Sequence, residues 1–315
     1  MRFKNEPEDF IVKEILPEGF IKKSGNFEVY RLVKRNIDTL SVVKELKNKF
    51  GEVGYAGLKD KHGLTTQYIT MARGENQKSN NYSIEKVGYS DIKLERGANA
   101  GNSFEIRVEV TDDEKKNIEK NSEIIRKNGF KNYYDTQRTG HELEHTSMVH
   151  YLLMKDYKTA LLRYYIHKSK YANKKVKLLY KECFKNWDDP VKCYTLLKGS
   201  VNNLILNPLN AVVRTHDYLN AILKIPKEEL ELLVAGYQAI IFNKDLDNIS
   251  EDKIIDLAVI ELPKELGIKT RKGRRATIVK PKNLEITFEK SLALLSFELP
   301  KGAYATILLK ELVKA

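Results

Sequence analysis

Strand-forming runs crowd both ends of this chain and helix-forming patterns fill its middle. "FIVKEIL" and "FEVYRLVKR" open it, two β-branched and aromatic runs separated by Pro17, Gly19 and Gly25. Apolar and polar residues alternate again in "QYITMA" (67–72), "YSIEKVGY" (82–89) and "FEIRVEV" (104–110). Between these groups, "LSVVKELKNKF" predicts a helix capped by Thr39, with Leu40, Val43, Leu46 and Phe50 on its apolar face and Gly51 ending it. Helical spacing returns from Asp112 to Ile125, then over a central region of about 146–206 interrupted near Trp187 to Pro190. The end reverts to strands, "ATIVKP", "LEITFE" and "LALLSFELP", before a last helix, "ATILLKELV". Strands at both ends around central helices predict an α+β core closed by its own C-terminus.

Charge narrows the partners. With 42% hydrophobic residues in 315, the chain can bury a substantial core and form more than one domain. It carries 55 Lys and Arg against 43 Asp and Glu, a net charge of +12, which points to nucleic acid or an anionic membrane surface. No uncharged apolar run approaches a membrane-spanning length and the start "MRFKNEPEDF" is charged, so neither signal peptide nor anchor is expected and the cytosol is. Cys183 and Cys193 are too few for a disulfide framework and lack the paired spacing of a zinc site, so they read as ordinary thiols.

Three constellations could carry chemistry. "HELEH", His141 to His145, fits the H-E-x-x-H template of zinc hydrolases, in which two histidines face a metal from one buried helix. It follows Gly140 directly, with "DTQRTG" before it, so a polar helix start is the preferred reading and no metal is expected. Between Lys155 and Lys185, ten Lys and Arg face only Asp156 and Glu182, interleaved with Tyr157, Tyr164, Tyr165, Tyr171, Tyr180 and Phe184. Lysines neutralise phosphates and exposed tyrosines stack on unpaired bases, so this mixture suits RNA better than a membrane, although a basic helix is also a common solvated face. Finally, "GYAGLKDKHGLTTQ" sets Asp60 between two lysines in a glycine-punctuated loop. In an extended segment Lys59 and Lys61 would point away from Asp60 and meet phosphates, leaving an ionised carboxylate facing a cleft as a nucleophile requires.

That last segment resembles the catalytic motif of the TruD family of pseudouridine synthases, and others follow in the family's order. "NEPEDFIVKEI" is similar to its P-E-D-F segment, "GFKNYYDTQRTG" to N-Y-[FY]-G-x-Q-R-F-G, and "YQAIIFNKDL" to Y-Q-S-x-[IL]-F-N. "GRRATIVKPKNLEI" and "LSFELPKGAYATILLKEL" resemble the R-R-A and L-P-x-G-[SA]-[FY]-A-T segments. The resemblance implies a mixed, largely antiparallel sheet flanked by helices and a cofactor-independent isomerase. Such an enzyme breaks the N-glycosidic bond of an RNA uridine, turns the uracil and rejoins it through C5. The RNA would be tRNA, with uridine 13 of the D-arm or another uridine as target, and the enzyme monomeric. Asp60 matches the catalytic aspartate, acting at the ribose C1′ or at the base. Phe10 and Tyr304 match substrate-pocket aromatics, Asn132 a residue that hydrogen-bonds the uridine, and Tyr134 the aromatic that stacks on the base. Lys59, Gln137 and Arg138 complete the expected RNA-facing set.

The departures also count. Asp135 stands where the motif has glycine and Thr139 where it has phenylalanine. A catalytic domain is expected over 1–244 and 271–315, with 245–270 a reduced remnant of the family's insertion domain. Altered motif and reduced arm leave a catalytically silent RNA-binding protein as the alternative, and "HELEH" a zinc-dependent hydrolase as a less favoured one.

Overall fold

The computed structural model describes residues 2–3, 6–140 and 142–315, without the side chains of 2, 3 and 137. Contacts divide the chain into two compact units, Met1–Asn132 with Ile278–Ala315, and Tyr133–Thr277.

In the first unit the strands predicted at opposite ends of the chain join in one ten-stranded sheet. Its order is Lys282–Glu289, Leu292–Pro300, Gly101–Glu109, Phe10–Ile15, Leu64–Met71, Phe27–Lys34, Tyr82–Ser90 and Gln77–Lys78, with Arg2–Phe3 and Val53–Tyr55 alongside. Leu292–Pro300 runs antiparallel to Gly101–Glu109 from Leu292 opposite Glu109 to Pro300 opposite Gly101, so the C-terminus closes the sheet. Phe10–Ile15 and Leu64–Met71 are parallel, Ile11 opposite Leu64.

The Thr39–Phe50 helix buries Val42, Val43 and Leu46 against Tyr30, Leu32, Ile69, Met71 and Ile84. Each such aliphatic side chain contributes about 1.5–3 kcal/mol by leaving water. The helix is turned relative to the expected phase, with Leu40 exposed and Thr39 buried. The cap also differs: Asp38, not Thr39, takes it, its Oδ1 accepting from the Ser41 N–H at 2.9 Å. Thr39 faces inward. On the Asp112–Asn128 helix, Asn121 Nδ2 donates to the carbonyls of Glu311, Leu312 and Lys314 at 3.2, 3.1 and 2.7 Å, tying down the end of the last helix, Ala305–Val313.

The second unit is helical: Met148–Leu153, Tyr157–Lys170, Lys174–Lys185, Pro190–Leu197, Asn203–Thr215, Tyr218–Ile222 and Lys227–Asp247. The region expected as one helical stretch with one interruption is cut more often, because four Asx residues along it each cap a new helix. Asp156, Asn173, Asp189 and Asn202 accept from the N–H groups of Thr159, Val176, Lys192 and Ile205. Their apolar faces share one core that includes Leu152, Leu161, Tyr165, Leu209 and Val234. Cys183 and Cys193 are free and buried in it. Segment 245–270 lies within this unit, and Ile254–Asp256 pairs there with Arg274–Ala276.

The chain leaves the first unit and returns to it at a single antiparallel pair, Lys131 opposite Ile278 and Phe130 opposite Val279. Gly129 makes the approach, at φ +78 and ψ −167, a region populated almost only by glycine. A Cβ there would lie 2.6 Å from Ile278 Cγ2 and 2.7 Å from the Val279 carbonyl oxygen. Gly129→Ala is therefore expected to destabilise the protein by about 1–3 kcal/mol or more. A urea titration reads this as a lower midpoint, and an unchanged midpoint would contradict the geometry.

Candidate active site

Alternation along Phe27–Lys34 puts Lys34 on the same face as Tyr30 and Leu32, so a lysine enters the core with them and is 1% exposed. A buried ammonium needs an acceptor for each of its three hydrogens. Lys34 donates to the carbonyls of Asp60 at 2.6 Å, Ile37 at 2.9 Å and Lys59 at 3.3 Å. Burial pushes its pKa down to about 8, against the pull of the Asp60 and Asp38 carboxylates and with some help from Lys59.

The rest of the loop is held as closely. Thr39 Oγ1 accepts from the Lys59 N–H at 3.1 Å and donates to Gln67 Oε1 at 2.9 Å, and Gln67 Nε2 reaches the Gly57 carbonyl at 3.4 Å. Lys59 does not reach outward as expected. Its ammonium lies 2.7 Å from Glu14 Oε1 and 2.8 Å from Asn102 Oδ1, with 7% of the side chain exposed. Glu14 Oε2 also accepts from the Tyr68 N–H at 3.0 Å. The loop turns instead of running extended, so strand alternation does not apply: Lys59 faces in, while Asp60 and Lys61 are both exposed. Asp60 Oδ1 accepts from the His62 N–H at 3.0 Å, an Asx turn that fixes the carboxylate on a clamped backbone.

Phe10 sits beside this loop, just after the Pro7–Asp9 turn of the P-E-D-F segment. Its ring meets Phe104 edge-on at 6.3 Å, and Phe104 stacks on Phe297 at 5.2 Å. A Cβ on Gly63 would lie 2.6 Å from the Phe10 carbonyl oxygen, so the glycine lets the loop close on Phe10. Tyr304, half-buried, precedes the last helix shortly after the Pro300–Gly101 pair, and Asn102 next to that pair holds Lys59. Asn132 is buried at the exit from the unit, 4% exposed.

In the second unit Tyr134 is anchored by segments distant in sequence. Asn243 Oδ1 accepts from its N–H at 2.8 Å, and Asn243 Nδ2 donates to its carbonyl at 2.9 Å. The Arg275 guanidinium lies 3.9 Å from the ring centre, and Phe242 meets the ring edge-on at 5.5 Å. The N-Y-[FY], Y-Q-S and R-R-A-like segments thus converge on one aromatic side chain. Asp135 is buried at the start of the short Thr136–Thr139 helix, its carbonyl accepting from the Arg138 N–H at 2.8 Å. Arg138 is exposed and lines a cleft of about 590 Å³ with His167. The Gln137 side chain and His141 lie outside the described residues. Residues 142 and 143 are not helical, so "HELEH" lacks the continuous helix its zinc chemistry requires. Glu142 is bound to His167 Nδ1 at 2.9 Å and Glu144 to Lys244 at 2.6 Å.

The family model for tRNA pseudouridine synthase D (TruD) matches residues 1–255 and 247–312. The chain belongs to this family. A tRNA pseudouridine synthase D of Aquifex aeolicus is 27% identical to it, across 99% of this chain and 98% of that protein. Another, of Leptospira interrogans, is 33% identical, across 78% of this chain and 63% of that protein. A crystal structure assigned to TruD, from Methanosarcina mazei, superposes with a TM-score of 0.75 at 22% identity, covering all of this chain and 93% of the other, and so has the same fold.

Several residues that hold the candidate side chains within each unit were not singled out from the sequence. Lys34 had a signal, since it is in phase with Tyr30 and Leu32 on a buried strand face. Glu14, Asn102 and Thr39 had none, because their roles arise only when three strands and a helix meet. Asn243 and Arg275 stood inside recognised segments, with no assigned task. Lys34→Met should leave the carbonyls of Ile37, Lys59 and Asp60 without their donor and loosen the Asp60 backbone. Turnover of a TruD substrate should fall by about 10–100-fold, the effect of a misplacement near 1 Å. The wild-type pH–rate profile should bend downward near pH 8 as Lys34 deprotonates, with this limb displaced to higher pH in Lys34→Arg. The fold responds with the opposite sign. Lys34 titrates lower when folded than unfolded, so its burial penalty is full below about pH 8 and fades as pH rises toward the unfolded value. Loss of activity above pH 8 without loss of folded structure, read by circular dichroism, is the expected pattern, and a limb unmoved by Lys34→Arg would count against it.

Proposed function

We propose that this chain converts a uridine of tRNA to pseudouridine, with Asp60 as the nucleophile. The observation that carries this is the contrast at residue 60, an exposed carboxylate on a backbone gripped from beneath by Lys34 and Thr39. Fixing a reagent this way places it before the substrate arrives and removes reorganisation from the barrier. The reaction is an isomerisation: the C1′–N1 bond breaks, a C1′–C5 bond forms, and the proton on C5 leaves as N1 gains one. No external oxidant, reductant or group donor is needed. Attack of Asp60 at C1′ or on the uracil ring is equally compatible with its placement.

The target uridine must leave its stack to be reached. Phe10, packed across Gly63 from the Asp60 loop, is suited to support the extruded ring, and Tyr304 to a second side of the pocket. Tyr134, braced by Arg275 and Asn243, is suited to stacking, and Asn132 to reading a polar edge. Lys59 is reassigned from phosphate contact to scaffold, because Glu14 and Asn102 occupy its ammonium. We further propose that the tRNA-gripping insertion is the whole unit Tyr133–Thr277, of which 245–270 is one part. The enzyme is taken to act as a monomer. Among the described residues no helix is long and apolar enough to cross a membrane; action in the cytoplasm is part of the proposal because the proposed substrate is tRNA.

Asp60→Asn should reduce pseudouridine formation on an unmodified tRNA transcript by on the order of 10³-fold or more, while tRNA affinity stays within a few-fold of wild type. Chemical mapping of pseudouridine gives the readout and also identifies the uridine. A wild-type protein that binds tRNA and leaves every uridine unchanged would instead make it a silent RNA-binding member of the family.

A further inference from the structure

The basic region of the second unit divides once its side chains are located. Tyr164, Tyr165 and Tyr180 are at most 1% exposed and belong to the core, whereas Tyr171 is 70% exposed. Tyr171 leads into the Lys174–Lys185 helix, which turns Val176, Tyr180 and Cys183 inward. Lys174, Lys177, Lys181 and Lys185 recur every three or four residues along its outer face, and Lys175 stands beside them. Lys185 is paired with Glu182 at 3.2 Å, but among the described residues no ion pair engages Lys174, Lys175, Lys177 or Lys181.

This placement works against the helix itself. Like charges three and four residues apart repel, and two of these lysines occupy the first turn, which holds no acid and where the helix dipole disfavours positive charge. Helix stability therefore gives no reason for the stripe, and a polyanion laid along it would relieve both costs. The aromatic next to it is also displayed for contact. Tyr171 stands between surface clefts of about 590 and 540 Å³, each lined by His167, Lys168 and Tyr171 itself, with its ring 5.4 Å from that of His167.

We propose that the outer face of the Lys174–Lys185 helix, with Tyr171 at its head, is an RNA-docking surface. The lysines follow a run of phosphates and Tyr171 stacks on an unpaired base. From Lys174 to Lys181 the helix rises about 10 Å, a length over which one strand of a duplex passes about three phosphates at 3.4 Å each. A lipid surface fits less well, because the outward face offers Leu178 among lysines and the apolar face is already buried. The proposal rests on the reading of the chain as a tRNA enzyme and names the part of the second unit that grips the RNA.

The test measures binding of an unmodified tRNA transcript by fluorescence anisotropy at several salt concentrations. It compares wild type, the triple variant Lys174→Gln/Lys177→Gln/Lys181→Gln, Tyr171→Ala, and a charge-matched control on another exposed helix, Lys116→Gln/Lys120→Gln/Lys127→Gln. The stripe variant should lose about two units from the slope of log Kd against log salt and bind roughly tenfold more weakly near 0.1 M salt. Its turnover at saturating tRNA should be unchanged, and its thermal midpoint equal or higher because the repulsion is gone. Tyr171→Ala should weaken binding roughly fivefold or more at an unchanged slope. A slope equal to wild type in the stripe variant, or an equal loss in the control, overturns the proposal. Pseudouridine formation is scored separately. Stripe-dependent binding without isomerisation defeats the catalytic reading alone, and isomerisation with stripe-independent binding defeats this one alone.

Discussion

A single buried ammonium organises the catalytic half of this protein. Lys34 lies in the core between the sheet and the Thr39–Phe50 helix, and its three hydrogens go to carbonyls of the strand–helix turn and the Asp60 loop. Such a charge is tolerated in an interior only where acceptors are already waiting. Fold and loop therefore specify one another: the sheet delivers Lys34 to one place, and the loop must bring the carbonyls of Lys59 and Asp60 there. A neutral side chain of similar size would satisfy the packing and leave the loop free to wander.

The ion pair of Lys59 with Glu14 extends this logic across the sheet. Glu14 belongs to the strand that pairs with Leu64–Met71, and its second oxygen accepts from the Tyr68 N–H. Two lysines beside Asp60, Lys34 and Lys59, are both turned away from solvent. They supply positive potential beneath the loop without offering RNA a contact. On the two proposals above, steering and chemistry fall to different cations, buried ones near Asp60 and exposed ones on the Lys174–Lys185 helix.

How much of this was legible in the sequence depended on how local the cause was. The runs "FIVKEI" and "LALLSFELP" carry their own period and emerged as strands, and the closure by the C-terminus followed from their positions. The phase of the Thr39–Phe50 helix did so only in part: Val43 and Leu46 are buried as expected, but packing on the sheet buries Thr39 and Val42 in place of Leu40. The breaks at Asp156, Asn173 and Asn202 were readable in principle, yet helical spacing on either side masked them. Asp60 was recognisable by motif, but the direction of Lys59 was not. A carboxylate from position 14 and an amide from position 102 decide it, and neither is near in sequence. The joining of Tyr134 to Asn243 and Arg275 is of the same kind.

The pairing of Lys131 with Ile278 has an evolutionary meaning. Residues opposite one another on adjacent strands stand about 5 Å apart, so the unit Tyr133–Thr277 begins and ends at nearly one point. Closing a loop costs only logarithmically more as the loop lengthens, and with its ends fixed by the sheet, the insert can grow, shrink or be rebuilt with little effect on the folding of the half that holds Asp60. On the proposed division of roles, descent can then revise the grip on RNA and the chemistry at separate rates. A family built this way can change the molecules it modifies while leaving its reaction untouched.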